Sequence, residues 1–339
     1  MWIAIDAMGG DGAPAETVKG AVRAVRELGI GVILAGDPQA VGAHIQGADA
    51  RLPGLEIAPA TEVIGPDDIP TAAVRRKKDS SMVVGIRMVK EGQAAGFLSA
   101  GNTGAFMTAA LLILGRIPGV ERPALAPVVP SLSSRGTLFL DVGANATARP
   151  SHLLHYAIMG SAYARSVLGI EAPRVGLLNV GTEEGKGNEV VQQAYHLIQR
   201  AVEGFSGNVE GRDIFNGETD VVVCDGFIGN IVLKSIEGFA HLLGTSIRNE
   251  LNRGVWPRLG GLLCAPGLRR VRLRMDYAHY GGAPFLGVQG VCVKCHGSSN
   301  AEAIRNGLRL ARDFAREGVI DNIRDQIERW RELGVHQEA

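Results

Sequence analysis

Four turns in this sequence have the composition of an oxyanion cradle. Each follows a short apolar run and mixes glycine with Asn, Ser, Thr or Asp. They are Asp6-Ala-Met-Gly9-Gly10-Asp11, Ser99-Ala-Gly-Asn102-Thr103-Gly104, Asn179-Val-Gly-Thr-Glu-Glu-Gly-Lys186-Gly-Asn188 and Asp225-Gly226-Phe-Ile-Gly-Asn230. Asp141-Val-Gly-Ala-Asn145 is a fifth, weaker case. Glycine lets backbone N–H groups turn toward a ligand, and a helix starting after the turn adds the positive end of its dipole. Such a site suits phosphate or a developing oxyanion. Asn102, Thr103, Asn188 and Asn230 add neutral hydrogen bonds, and Lys186 adds one positive charge.

Each of these residues also has a plainer reading. Any α/β protein needs glycine in its tight turns, so one such turn is structural by default. Four with polar neighbours point to a ligand. Asn230 is also readable as a helix cap, and Lys186 as a solvated loop lysine. Asp6, Asp11 and Asp225 are read as acceptors that orient the turns rather than as acid–base groups. His296 either anchors phosphate or caps the helix that follows. The turns are not Walker A loops: Gly181-Thr-Glu-Glu-Gly-Lys-Gly lacks the spacing and the Ser/Thr after lysine. The first turn lacks the third glycine of a dinucleotide fingerprint.

The elements that must carry these turns alternate along the chain. Strands are expected at Trp2–Asp6, Gly31–Ala35, Leu55–Pro59, Phe97–Ser99, Thr137–Val142, Val175–Val180, Asp220–Cys224 and Val288–Lys294. Helices are expected over Pro14–Leu28, Pro38–Gln46, Ser81–Glu91, Ser151–Leu168, Gly187–Glu203, Asn300–Glu317 and Ile320–Leu333, with another from the Gly104 turn to Leu114. Repeated strand–turn–helix units predict a three-layer α/β fold, a largely parallel sheet with helices on both faces. Ligands bind outside the carboxyl ends of such strands, which is where the polar turns fall. No linker or fixed repeat divides residues 1–339, which are read as one domain.

Composition narrows the function. The chain has 339 residues, 35 basic and 35 acidic side chains, so charge gives no sign of nucleic-acid binding. The N-terminus lacks a basic n-region, and the apolar stretch Ala105–Leu114 is too short to span a bilayer. A cytoplasmic location is expected. Cys292-Val-Lys-Cys295-His296 has the spacing of haem attachment or half a zinc site. Haem attachment belongs to exported chains, and Cys224 and Cys264 form no second zinc pair. We therefore expect no metal and no cofactor, and read these thiols as part of a buried strand.

These segments resemble the bacterial phosphate:acyl-ACP acyltransferase family, also called PlsX. The likeness adds Arg75-Arg-Lys-Lys-Asp-Ser-Ser-Met82, Gly281-Gly-Ala-Pro-Phe-Leu-Gly287 and His296-Gly-Ser-Ser299 to the turns above, and runs from residue 1 to about 310. It implies transfer of a fatty acyl group from acyl carrier protein to inorganic phosphate, giving acyl phosphate for phospholipid synthesis. It also implies a homodimer, a fold similar to isocitrate/isopropylmalate dehydrogenases, and no metal or nicotinamide. Phosphate is already an oxyanion, so holding it beside the thioester is the main task; orientation can supply up to ~7–11 kcal/mol and one oxyanion donor ~3–4 kcal/mol. On this reading Lys186 and Asn230 are the catalytic pair. Asp6, Gly9, Gly10, Asp11, Ser99, Asn102, Thr103, Gly104, Asn145, Asn188, Asp225, Gly226 and His296 form the phosphate and substrate cradle. Cys224 is a candidate acyl acceptor, but the neighbouring Asp225 opposes thiolate formation, which favours a buried structural role.

A basic amphipathic helical excursion is expected at about residues 245–275. Arg248, Arg253, Arg258, Arg269, Arg270, Arg272 and Arg274 stand there against one acid, Glu250, with Trp256, Leu259, Leu262, Leu263 and Leu268 between them. Arg253, Trp256, Arg258, Leu262, Leu263 and Arg269 are the proposed contacts for an anionic membrane or for the acidic carrier protein. The plainer alternatives are a helix hairpin with a solvated basic face, or a dimer contact. Membrane contact would place the chain on the inner face of the membrane, near the acyltransferase that uses acyl phosphate. Rival functions are a short-chain acyl-CoA phosphate acyltransferase and a non-catalytic carrier-protein scaffold. An NAD-dependent dehydrogenase is disfavoured because the sequence has no metal-binding aspartate cluster.

Overall fold

The computed structural model describes residues 1–275 and 281–332, with residues 48 and 272–275 as backbone alone. The expected helix end at Leu333 and the side chains of Arg272 and Arg274 therefore lie outside the described residues.

The chain begins β1 (Trp2–Asp6), α1 (Ala15–Leu28), β2 (Gly31–Gly36), α2 (Pro38–Gly42), β3 (Leu55–Pro59), α3 (Pro70–Arg76), α4 (Ser81–Lys90), β4 (Gly96–Ser99) and α5 (Thr103–Ile113). Next come β5 (Ala124–Leu125), β6 (Val128–Val129), β7 (Thr137–Leu140), α6 (Pro150–Ser166), β8 (Val175–Leu178), α7 (Glu189–Ala201), β9 (Phe205–Val209) and β10 (Val221–Val223). Two long helices, α8 (Gly226–Leu251) and α9 (Val255–Met275), form a hairpin. β11 (Ala283–Leu286), β12 (Val291–Lys294), α10 (Ala301–Arg316) and α11 (Val319–Glu332) complete the described chain.

The strands are α/β in arrangement and mostly parallel, and they divide between two sheets. The first has seven strands in the order β3-β2-β1-β4-β12-β11-β5, and the second has five in the order β6-β7-β10-β8-β9. Between the named strands antiparallel pairing is confined to β11 with β12 and β5, and to β6 with β7. In the first sheet Lys294 of β12 lies opposite Ser99 of β4, which aligns the turns that follow the two strands.

Packing follows from the burial pattern. Ile3, Ala4 and Ile5 of β1 are all buried, as parallel strands covered on both faces require. α1 turns Val18, Ala21, Val22 and Val25 inward, and Gly20 lets α10 approach: a Cβ there would sit 2.6 Å from the Ile304 side chain. α6 is buried on every side from His152 to Ala164, the pattern of a helix enclosed by its neighbours. Two apolar clusters draw on both sheets. One joins Ile3 and Leu98 to Leu138 and Val221, the other Phe97 and Phe285 to Phe139 and Val222.

Candidate active site

A cleft of about 840 Å³ opens where the two sheets present their strand ends to each other. Gly9, Gly10 and Asp11 after β1, Asn102, Thr103 and Gly104 after β4, and Lys294 to Gly297 at the end of β12 form one side. Asn230 and Lys234 of α8 face them, with Val142 beside them. Val63, Ile64, Leu125, Val128, Val129 and Leu233 give the cleft an apolar wall.

The turns meet because particular bonds pull them together. Asp6 is buried beneath the cleft and accepts from the hydroxyls of Ser81 at 2.6 Å and Ser99 at 2.7 Å. Ser99 in turn accepts from the Gly101 amide at 3.0 Å. A side chain at Gly9 would strike Asp6 at 2.3 Å and the Gly101 amide at 2.8 Å, so glycine is what lets the β1 and β4 turns touch. Gly10 has φ of 108°, which other residues rarely adopt. The Asp11 amide donates to the Gly297 carbonyl at 2.8 Å, tying in the β12 turn.

Asn102 caps α5 by accepting from the Ala105 amide at 3.0 Å, and its own amide group donates to the Pro66 carbonyl at 3.0 Å. First-turn amides have no intrahelical partner. The amides of Thr103 and Gly104 are therefore free to meet an anion at the cleft that these residues line.

Asn230 is not the helix cap that its plainer reading offered. Asp225 caps α8, accepting from the Ile228 amide at 2.9 Å. Among the described residues the Asn230 side chain has no hydrogen bond, and it is exposed to the cleft. His296 is not a cap either, since Asn300 caps α10. Its Nδ1 lies 2.8 Å from the Ser298 hydroxyl.

Other candidates lie elsewhere. Asn188 caps α7 and, with Asp225, lines a separate cavity of about 400 Å³ beside Cys224. Asn145 donates to Asp141 at 3.0 Å and to the Pro123 carbonyl at 2.7 Å, and its own carbonyl accepts from the Gly226 amide at 2.9 Å. Asn145 and the Asp225 cap therefore secure the base of α8, and Asn188 the start of α7. Lys186 departs furthest from expectation. It is exposed on the turn after β8 and is not among the residues lining the cleft. The reason is strand order: β8 lies beyond β10, away from the β6–β7 edge that borders the cleft.

Among the described residues, the lysines that line the cleft are instead Lys234 and Lys294. Lys234 sits four residues after Asn230 on the same helix face, so the spacing was a usable signal. Lys294, at the carboxyl end of a parallel strand beside His296, was legible by the same rule that selected the glycine turns. Lys234 also pairs with Glu237 at 2.8 Å.

Burial dominates the electrostatics. It pushes the Asp6 carboxyl above the usual range, against the hydrogen bonds from Ser81, Ser99 and Met8. It pushes the Lys294 ammonium down to about 8. Partial burial also lowers His296. The thiols of Cys224, Cys292 and Cys295 are all raised by burial, Cys295 to about 12, so none is poised as a thiolate near neutral pH.

The architecture is that of a two-sheet α/β protein whose facing strand ends enclose a cleft lined by glycine turns and a helix start. Solved structures share the fold: a phosphotransacetylase, EutD, from Staphylococcus aureus aligns with a TM-score of 0.62 over 93% of this chain and 94% of that one, at 18% identity. A phosphotransacetylase from Streptococcus pyogenes gives 0.61 over 97% and 94%, also at 18% identity. The chain belongs to the family described as fatty acid synthesis protein, whose model matches residues 1–322. Phosphate acyltransferases from Heliobacterium modesticaldum and Desulfitobacterium hafniense are 53% and 52% identical to it, covering 96% and 97% of this chain and 98% of each relative. It is an acyltransferase of that family.

Proposed function

We propose that the chain transfers a fatty acyl group from an acyl carrier protein thioester to inorganic phosphate in this cleft. A phosphate oxygen bonds to the thioester carbonyl carbon, and the carbonyl oxygen takes the negative charge. The carbon–sulfur bond then breaks, and the thiolate leaves with its electron pair to be protonated from water. The first-turn amides of α5 hold phosphate, and the Asn230 amide donates to the oxyanion. One observation carries this reading: a single cleft combines an anion-binding helix start, an unbonded side-chain amide and an apolar wall for an acyl chain.

The test is acyl carrier protein thioester incubated with labelled phosphate. Label is expected in a hydroxylamine-sensitive product, and no labelled product would overturn the reading. Acetyl-CoA as donor separates the long-chain assignment from a short-chain one: faster turnover with acetyl-CoA defeats the former.

The α8–α9 hairpin is the proposed partner surface. Arg253, Trp256, Arg258, Leu262, Leu263 and Arg269 are all exposed there, as are Phe239 and Leu242 of α8. This arginine and leucine pattern suits an acidic carrier protein and the anionic inner face of a membrane, where a second acyltransferase would receive the acyl phosphate. A homodimer would cover part of the α8 stripe. No helix of the described residues is long and apolar enough to cross a membrane. Flotation with anionic liposomes is expected to carry the protein at low salt and release it at high salt; protein left in the dense fraction at low salt removes the membrane contact.

A further inference from the structure

Among the described residues Lys294 is the only lysine or arginine that is buried, at 8% exposure. It ends β12, opposite Ser99 of β4 and Ala283 of β11, at the inner end of the cleft. Its ammonium donates to the Cys295 carbonyl, its one hydrogen bond among the described residues. An ammonium carries three donors, so two are left over. The acid beneath it is already engaged: one Asp6 carboxylate oxygen accepts from Ser81 and the other from Ser99. No described carboxylate pairs with Lys294 as a salt bridge, and a buried charge without a paired counter-charge is costly. The same cleft holds the amides of Thr103 and Gly104, which lack intrahelical partners.

We propose that Lys294 is a phosphate-binding residue of the acyl transfer, its two remaining N–H groups holding the attacking phosphate against the first turn of α5. The substrate then adds negative charge on the cleft side of the ammonium, where no described carboxylate forms a salt bridge with it. This assignment deepens the reading of the cleft given above and rests on it. Lys294 keeps its proton throughout; the bonds that form and break are those of the phosphate and the thioester.

The charged groups around it set a pH limit. Asp6 and Asp11 from the β1 side favour the ammonium, and Lys234 from α8 opposes it; the Cys295 thiol beside it stays protonated in this range, and His296 and Glu237 lie on the same cluster. Burial outweighs the favourable set and brings the group down to about 8. Phosphate affinity supplied by Lys294 is therefore present below about 8 and lost as pH rises through it.

Steady-state kinetics with inorganic phosphate as the varied substrate test the assignment. Lys294→Met is expected to raise the KM for phosphate by about tenfold or more while the KM for the acyl donor stays near the parental value. Lys294→Arg keeps a permanent charge. It should retain part of the phosphate affinity and move the alkaline limb of kcat/KM for phosphate to higher pH. A melting curve establishes that each variant is folded. Parental phosphate kinetics in Lys294→Met, with Asn230→Ala impaired, overturn the role of Lys294 and leave the cleft standing. Parental kinetics in both variants overturn the cleft as well. Should Lys294→Met fail to fold, an unmoved alkaline limb in Lys294→Arg overturns the proposal by itself.

Discussion

Asn230→Ala lowers kcat by about 10²–10³, the effect of removing one oxyanion donor, while the protein melts close to the parental temperature. The separation of the two effects follows from where the side chain sits. It is exposed on the second turn of α8, beyond the cap at Asp225, and no described residue bonds its amide. Exposed positions without partners change stability by only about 0.5 kcal/mol, so lost packing cannot account for lost turnover. Asn230→Asp is expected to be worse than alanine, because it puts an acceptor and a negative charge where an oxyanion develops. Measuring kcat with both substrates saturating and recording a melt on the same preparation decides the matter. Turnover within about threefold of the parent would remove Asn230 from the chemistry.

Much of the frame that carries Asn230 was readable from the sequence. Trp2–Asp6 and Leu55–Pro59 match the observed strands end for end, because short apolar runs bounded by turn residues are strong signals. The missing strands have visible causes. Phe205–Val209 contains Gly207 and Asn208, and Ala283–Leu286 follows Gly281-Gly282 and contains Pro284, which weaken a strand pattern. β5 and β6 are two residues each and exist only through pairing with β11 and β7. The helix Pro70–Arg76 buries only Ala73 and Val74, so it carries no apolar periodicity for a sequence reading to find. In the site, turns after β1 and β4 were legible from glycine and Asn, since those strands are neighbours in one sheet. Lys186 was misplaced because the composition of a turn says nothing about strand order. The whole of α8 was also hidden: its start reads as a glycine turn and its end as a basic segment.

Gly229→Ala carries the second large effect, a loss of about 3 kcal/mol of stability, at the upper part of the overpacking range. The added methyl would lie 1.8 Å from the carbonyl oxygen of Asp141 and 3.0 Å from the Cys224 sulfur. That carbonyl has little freedom to retreat. The Asp141 carboxylate accepts from the amides of Leu125 at 3.1 Å, Ala144 at 3.0 Å and Asn145 at 2.8 Å, and from the Asn145 side chain at 3.0 Å. Moving the backbone breaks some of these bonds; leaving it in place forces α8 away. Either way Asn230, the next residue, shifts, so turnover falls together with stability. Gly238→Ala, farther along the same helix, has open space at its Cβ and should be neutral or gain about 0.5–1 kcal/mol. Urea unfolding of the two variants makes the comparison, and equal midpoints would show that the α8 junction is softer than its contacts indicate.

One rod runs from the cleft to the exposed tip of the α8–α9 hairpin. α8 has 26 residues, about 39 Å at 1.5 Å per residue. Asn230 and Lys234 occupy its inner end and the turn into α9 its outer end. A tilt of about 3° pivoting at the inner end displaces the outer end by about 2 Å over that length. Whatever grips the tip therefore pulls on a lever whose fulcrum lies between Gly229 and Asp141, and the stiffness of that bearing sets how much of the pull reaches the amide of Asn230.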